Sequence, residues 1–457
     1  MAADCTTGAG ATEEVGCVII GGGPVGGSAA WFLAEHERAQ TEGTSIVCVH
    51  DPRNRGAHED WSRLARLSFD GPADEMELSR HALELLDLVD EVRAMNSGAP
   101  VVPLRPGMVF LASPGTALAN AVAHGAETYS DAEFRQVDWR ELETLFPGNN
   151  FALPEGTLAW THPAGYCVSP LELAESTRRM AMSYGVELVE GRAQIDCAER
   201  NLIRVTLDSG RELLTRRCFL FAGAASKQLV HEALEREPER NAPLQVPEFD
   251  NTYITAISTV RYSHVHHPAT PAVGSGHVVT PIILGQLNAP EHIDFQANFS
   301  IVAEEYGDVL KTRLSGSVGS EVIDNVADLA RIGMDGKQDA EMAATYQRFF
   351  GACFPFLKTD TPLDFNRCVT YRNHAPAFSG TSLVVKGVAQ SQDEPPSSLM
   401  TTVGCFGVGV KFGPALGQAA AAHTFGDDLV TGMNVFTSGD PELDFDESSG
   451  DMEERAY

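Results

Sequence analysis

Gly21, Gly23 and Gly26 stand at the spacing G-x-G-x-x-G, and Pro24 and Val25 fill the gap before the last of them. The apolar run Val15 to Ile20 precedes the cluster, and Ser28-Ala29-Ala30-Trp31-Phe32-Leu33-Ala34 follows it. Strand, turn and helix are therefore expected in that order, the context in which this spacing binds a dinucleotide. Its chemistry is one of access. Positions without side chains let the backbone approach a pyrophosphate, and the helix N-terminus supplies unpaired N–H groups with a partial positive charge. A second apolar run, Ser45 to Val49, ends at His50-Asp51, 30 positions after Gly21, where Asp51 is the acid expected at the nucleotide. The spacing is long because the polar stretch Glu35 to Thr44 reads as a loop-like insert. A glycine-rich turn with no ligand is the bland alternative, and the motif alone does not choose between FAD and NAD.

Other residues that could do chemistry lie far apart. Arg63 and Arg66 sit in His58-Glu59-Asp60-Trp61-Ser62-Arg63-Leu64-Ala65-Arg66, after the second apolar run. Two arginines at i and i+3 are also what a solvated helix face carries. Lys411 lies in Gly404-Cys405-Phe406-Gly407-Val408-Gly409-Val410-Lys411-Phe412-Gly413, ahead of an alanine-rich helix whose N-terminus disfavours a cation. Lys311 falls in Tyr306 to Thr312, and Cys368 in Arg367-Cys368-Val369-Thr370-Tyr371. A nicotinamide dehydrogenase completes its dinucleotide fold within the N-terminal half. Here a second glycine-rich strand-to-helix segment returns near residue 410, the habit of large FAD oxidoreductases.

With these motifs the chain resembles the D-amino-acid-oxidase-like FAD flavoprotein superfamily, and within it the monomeric sarcosine oxidase and N-methyltryptophan oxidase branch, over most of residues 15 to 430. The resemblance implies an α/β fold: an FAD-binding Rossmann-like domain of the glutathione-reductase type plus an antiparallel-sheet substrate domain. The first would take residues 15–75, 165–245 and 365–432, and the second 76–164 and 246–364. Residues 1–14 are expected to be a disordered tail and 433–457 an acidic C-terminal tail. The resemblance further implies that His58 and Arg63 lie beside the flavin ring, and that Arg66 and Lys411 bind a substrate carboxylate. Gly407 and Gly409 would let the chain approach the pyrimidine end of the ring. Cys368 matches the cysteine that carries FAD through a thioether at the 8α carbon, and Lys311 the lysine that promotes reaction with O2. Ala164 to Pro170 and Phe221 to Ser226 resemble the start of a family helix and a turn near FAD.

The implied reaction is oxidation of a C–N bond in a secondary, N-methyl, cyclic or otherwise modified amino acid to an imine, with O2 reduced to H2O2. A dehydrogenase or desaturating tailoring enzyme of the same fold, using another electron acceptor, is the alternative. A catalytically silent flavin-binding protein is the third. The chain departs from the family pattern after Cys368, where Tyr371 stands three places on and Asn373-His374-Ala375-Pro376 follow, and at Ser315.

Composition narrows the partners. The 457 residues carry 33 Lys and Arg against 63 Asp and Glu, a net charge of −30, which repels phosphate backbones and anionic lipid. Nucleic acid and membrane are thus poor partners; a small amino-acid-like substrate and O2 fit better. Nine scattered cysteines without a C-x-x-C pair argue against a disulfide framework or zinc site. His264, His266, His267 and His277 have no nearby cysteine or carboxylate to complete a metal site, so none is expected. No apolar run reaches a membrane span, and the polar N-terminus lacks the pattern of a secretory signal. A cytoplasmic monomer is expected. Residues 250 to 318 alternate in the β manner and predict an antiparallel sheet, followed by helices near 322 to 333 and 338 to 351.

Overall fold

The short apolar runs of the sequence form the middle of a seven-stranded sheet. The computed structural model describes residues 12–39, 45–53, 63–68, 73–95, 101–102, 105, 107–128, 134–146, 151–265, 272–273, 276–277, 282–290, 295–306, 309–323, 336–355, 362–373, 383–389, 396–403, 410–427 and 435–438. The strand order is Val435–Thr437, Leu383–Val388, Ser397–Thr402, Arg217–Leu220, Cys17–Ile20, Ile46–His50, Glu187–Glu190. All neighbours run parallel except Leu383–Val388 and Ser397–Thr402. Both faces of such a sheet are covered, so Cys17–Ile20 is buried at every position and reads as a continuous apolar run. Cys17 and Ile19 pack with Trp31, Leu173 and Leu416 of three helices, Pro24–Ala39, Pro170–Ser183 and Gly413–Phe425. Val18 and Ile20 face the other way, against Ile195, Val205, Leu213 and Leu229.

A second, eight-stranded sheet runs Pro362–Asn373, Thr252–Val265, Val309–Ile323, Gln296–Tyr306, Ile282–Asn288, Met108–Ala112, Leu158–His162, Arg135–Gln136. It is antiparallel apart from the pairing of Ile282–Asn288 with Met108–Ala112. The helix Gly336–Cys353 lays Tyr346, Phe349 and Phe350 against Phe299 and Phe354, largely edge to face. Each such ring contributes roughly 1.5–3 kcal/mol by leaving water. The molecule is thus a mixed α/β protein with the antiparallel sheet expected over 250 to 318.

Four expectations change at the edges of elements. The stretch expected to be helical near 322 to 333 starts as strand, since Val322 and Ile323 pair with Thr255 and Ile254, and residues 324–335 lie outside the described residues. Thr12–Glu14, expected in a disordered tail, pairs parallel with Glu212, Leu213 and Leu214, and Arg211 binds both Glu13 and Glu187. Val435–Thr437 likewise joins the central sheet rather than the acidic tail. The insert after Glu35 is helical as far as Ala39. No helix among the described residues is long and apolar enough to cross a membrane. His264 lies on the large sheet and His277 on a separate two-stranded ribbon, while His266 and His267 lie outside the described residues.

Cys17, Cys48, Cys167, Cys197, Cys218 and Cys353 are free and buried. Burial pushes the thiols of Cys48, Cys218 and Cys353 up to about 12, so none of these three is a thiolate near neutrality. Brief alkylation of the native protein, read by peptide mass spectrometry, should therefore leave these three unmodified and label them only after denaturation.

Candidate functional site

The dinucleotide turn is built from close backbone approaches. Gly21 N–H donates to Val49 O at 2.9 Å, and Phe221 N–H to Ile20 O at 2.8 Å, which wedges the turn between neighbouring strands. Gly21 has φ +116°, and a Cβ there would lie 2.3 Å from the Phe221 carbonyl oxygen. A Cβ on Gly26 would lie 1.7 Å from the Gly21 carbonyl oxygen. Pro24 heads the helix, Val25 follows, and Gly27 N–H donates to Gly23 O at 2.8 Å. A bare turn running straight into a helix N-terminus fits the pyrophosphate of FAD.

Asp51 follows the adjacent strand. Its carboxylate accepts from Arg53 N–H at 3.0 Å and from Arg53 Nε at 2.9 Å. Partial burial raises its pKa, but these hydrogen bonds outweigh burial and hold the carboxyl below its usual range. Two residues without a sequence signal also meet the turn. A Cβ on Gly22 would come within 2.9 Å of His50 Cβ, and Arg178 Nη1 donates to Gly22 O at 2.6 Å. Burial and then the Arg178 charge push the His50 imidazole below its ordinary value.

Arg63–Arg66 is a strand and not a helix face. It pairs antiparallel with Gly165–Val168, Arg63 opposite Val168 and Arg66 opposite Gly165. Residues three apart on a strand do not share a face, as they would on a helix. Met108 of the large sheet closes on Gly165 as well, for a Cβ there would meet Met108 Cγ at 2.1 Å. Half-buried Arg66 donates through Nη1 to Leu67 O at 2.8 Å, and the chain continues into buried Leu67 and Ser68.

Lys411 is only 7% exposed, and its Nζ donates to Ser68 Oγ at 2.6 Å. The ammonium also lies 4.2 Å from the Phe412 ring centroid, a cation–π distance. Ser68 is fixed in turn: its N–H donates to Ser79 Oγ at 3.0 Å, and the Ser79 hydroxyl donates to Met76 O at 2.6 Å, within the helix Ala73–Met95. The two cations, far apart in sequence, thereby reach one short segment, Lys411 touching the residue two places after Arg66. What sets Lys411 is the helix behind it. Gly413–Phe425 lies so close to Pro24–Ala39 that a Cβ on Gly413 would meet Pro24 Cβ at 2.8 Å, and one on Gly417 would meet Ala29 N at 2.5 Å. The Lys411 segment and the glycine turn are thus held by one pair of helices.

Lys311 and Cys368 both lie on the large sheet, on strands flanking Thr252–Val265. Cys368 pairs with Ile257, and Lys311 with Val265. At about 3.3 Å per residue those rungs are roughly 25 Å apart along the shared strand. One flavin ring does not span that distance, so the register does not bring Lys311 and Cys368 to the same ring. His58, Gly407 and Gly409 lie outside the described residues.

The family model of the DAO FAD dependent oxidoreductases matches residues 17–423. No curated protein matches the sequence. Among solved structures, NikD, an unusual amino acid oxidase essential for nikkomycin biosynthesis, superposes with TM-score 0.66 at 16% identity, over 90% of this chain and 93% of that one. Iminodiacetate oxidase from Chelativorans sp. BNC1 gives 0.61 at 18% identity, over 92% and 99%. L-proline dehydrogenase from P. horikoshii gives 0.62 at 15%, over 92% and 96%. At these identities the likeness is one of fold.

Proposed function

Because this chain belongs to the DAO family of FAD-dependent oxidoreductases, we propose that it oxidises the C–N bond of a carboxylate-bearing amine to an imine, with O2 reduced to H2O2. The substrate class is a secondary, N-methyl, cyclic or otherwise modified amino acid. The observation that carries this reading is the buried Lys411 ammonium on Ser68, two residues from Arg66. A carboxylate held by both cations is fixed in direction as well as place, because a guanidinium can bind it with two parallel hydrogen bonds. The same cations lower the pKa of the substrate ammonium, so the amine is neutral when it reacts, and no acid–base side chain is required.

FAD, when bound, supplies the two-electron acceptor. Gly21, Gly23, Pro24, Val25 and Gly26 would hold its pyrophosphate and Asp51 its ribose. His58, Arg63, Lys411, Gly407 and Gly409 would hold the ring, and Cys368 would carry the thioether. Lys311, whose rung lies far from that of Cys368 along Thr252–Val265, would promote the reaction with O2 in the case where the ring is held at its end of that strand and not at Cys368. A second reading is a dehydrogenase handing its electrons to another carrier, favoured by the fold shared with a proline dehydrogenase.

The test is an anaerobic flavin-reduction screen across N-methyl, cyclic and ordinary amino acids, followed by peroxide counted per turnover. At least one carboxylate-bearing amine should bleach the flavin; a panel in which none does overturns the proposal. Peroxide near one per turnover supports the oxidase, and near zero the dehydrogenase. Acid precipitation should give a yellow pellet and a colourless supernatant, whereas free flavin in the supernatant removes the Cys368 link.

A further inference from the structure

Ser68 and Ser79 are both buried, yet their hydroxyls are used differently. The Ser79 hydroxyl is used in both senses, accepting from Ser68 N–H and donating to Met76 O. Ser68 Oγ accepts from Lys411 Nζ at 2.6 Å, and among the described residues its own proton meets no acceptor. A serine hydroxyl can accept and donate at once, and a buried donor left without an acceptor is costly. Its place is not accidental: the hydrogen bond from its N–H ties it to the helix Ala73–Met95, it holds the ammonium, and it stands two residues beyond Arg66. An anion drawn to Lys411 would come within reach of the hydroxyl that holds its ammonium.

We propose that Ser68 is a third donor to the substrate carboxylate, its oxygen orienting the Lys411 ammonium while its O–H donates to the carboxylate itself. This rests on the clamp reading of Arg66 and Lys411. It makes the site selective for an anionic acceptor over a neutral amide, because the amide oxygen carries less charge for the same three donors.

Calorimetric titration of the holoenzyme with propionate and with its neutral isostere propionamide tests this. Ser68→Ala should raise the propionate Kd about tenfold, the loss expected for one hydrogen bond to a charged group, and that of propionamide only about threefold, since a neutral acceptor makes a bond about half as strong. Ser68→Thr, which keeps the hydroxyl, should restore propionate binding. A propionate Kd within about twofold of the parent in Ser68→Ala, or an equal loss for propionamide, overturns the proposal. Lys411→Met separates it from the reading beneath it. If Lys411→Met weakens propionate and Ser68→Ala does not, Ser68 alone is removed and the clamp stands. If neither substitution weakens propionate, or the parent holoenzyme does not bind it, both fall together.

Discussion

Replacing Lys411 with methionine should raise the half-saturating concentration of an amino-acid substrate by about 30-fold or more, while a carboxylate-free amine changes by about twofold at most. Removing one partner of a buried, hydrogen-bonded charge pair costs about 2–5 kcal/mol, and each 1.4 kcal/mol is tenfold. Methionine keeps most of the length and the apolar stem of lysine but not the ammonium over the Phe412 ring, so the loss is one of charge and hydrogen bonding rather than of volume. The effect belongs mainly in KM, because the carboxylate is bound alike in the ground and transition states. Arg66→Ala should act in the same direction and equally discriminate between the two substrate classes. Steady-state kinetics with a matched amino acid and its decarboxylated amine decides the matter; equal changes for both would remove the clamp.

Gly26→Ala should yield protein without flavin, less stable by about 3 kcal/mol, the upper end of what overpacking costs. The new methyl would sit 1.7 Å from a backbone oxygen, and backbone cannot rotate aside as the end of a side chain can. Relief requires moving either the start of the helix or Gly21, and Gly21 is itself locked against Phe221. Gly351→Ala is the control: a helical glycine with nothing within 4 Å of the added carbon, expected to keep its flavin and to gain about 0.5–1 kcal/mol. The ratio of flavin to protein absorbance and urea denaturation measure both variants. A yellow Gly26→Ala protein of parental stability would show that the turn has slack.

The nucleotide turn was legible because sterics leave little choice: only glycine tolerates the approach to Phe221 O, so the spacing reports the geometry directly. Lys411 stood out in the sequence because a cation before a helix N-terminus opposes the helix dipole and needs another reason to be there. Arg63–Arg66 was not, since a four-residue ribbon with two charges has too short a pattern to separate period 2 from period 3.6. Thr12–Glu14 carried no signal at all: every residue is exposed, and its pairing depends on the edge offered by Glu212–Thr215. Ser68 was invisible for another reason. A lone serine gains meaning only from the lysine folded onto it, and that contact spans most of the chain. Lys311 shows the converse, where a motif likeness ignores register and pairing along Thr252–Val265 then separates it from Cys368.

The interlock of Pro24–Ala39 with Gly413–Phe425 carries a consequence for biosynthesis. The first of these segments leaves the ribosome well before its partner, so its small-residue face stays uncovered by that partner until Gly413–Phe425 has been made. Flavin loading is then expected only once Gly413–Phe425 has been made, and termination ahead of residue 413 should deliver a polypeptide that chaperones retain rather than a partly active enzyme.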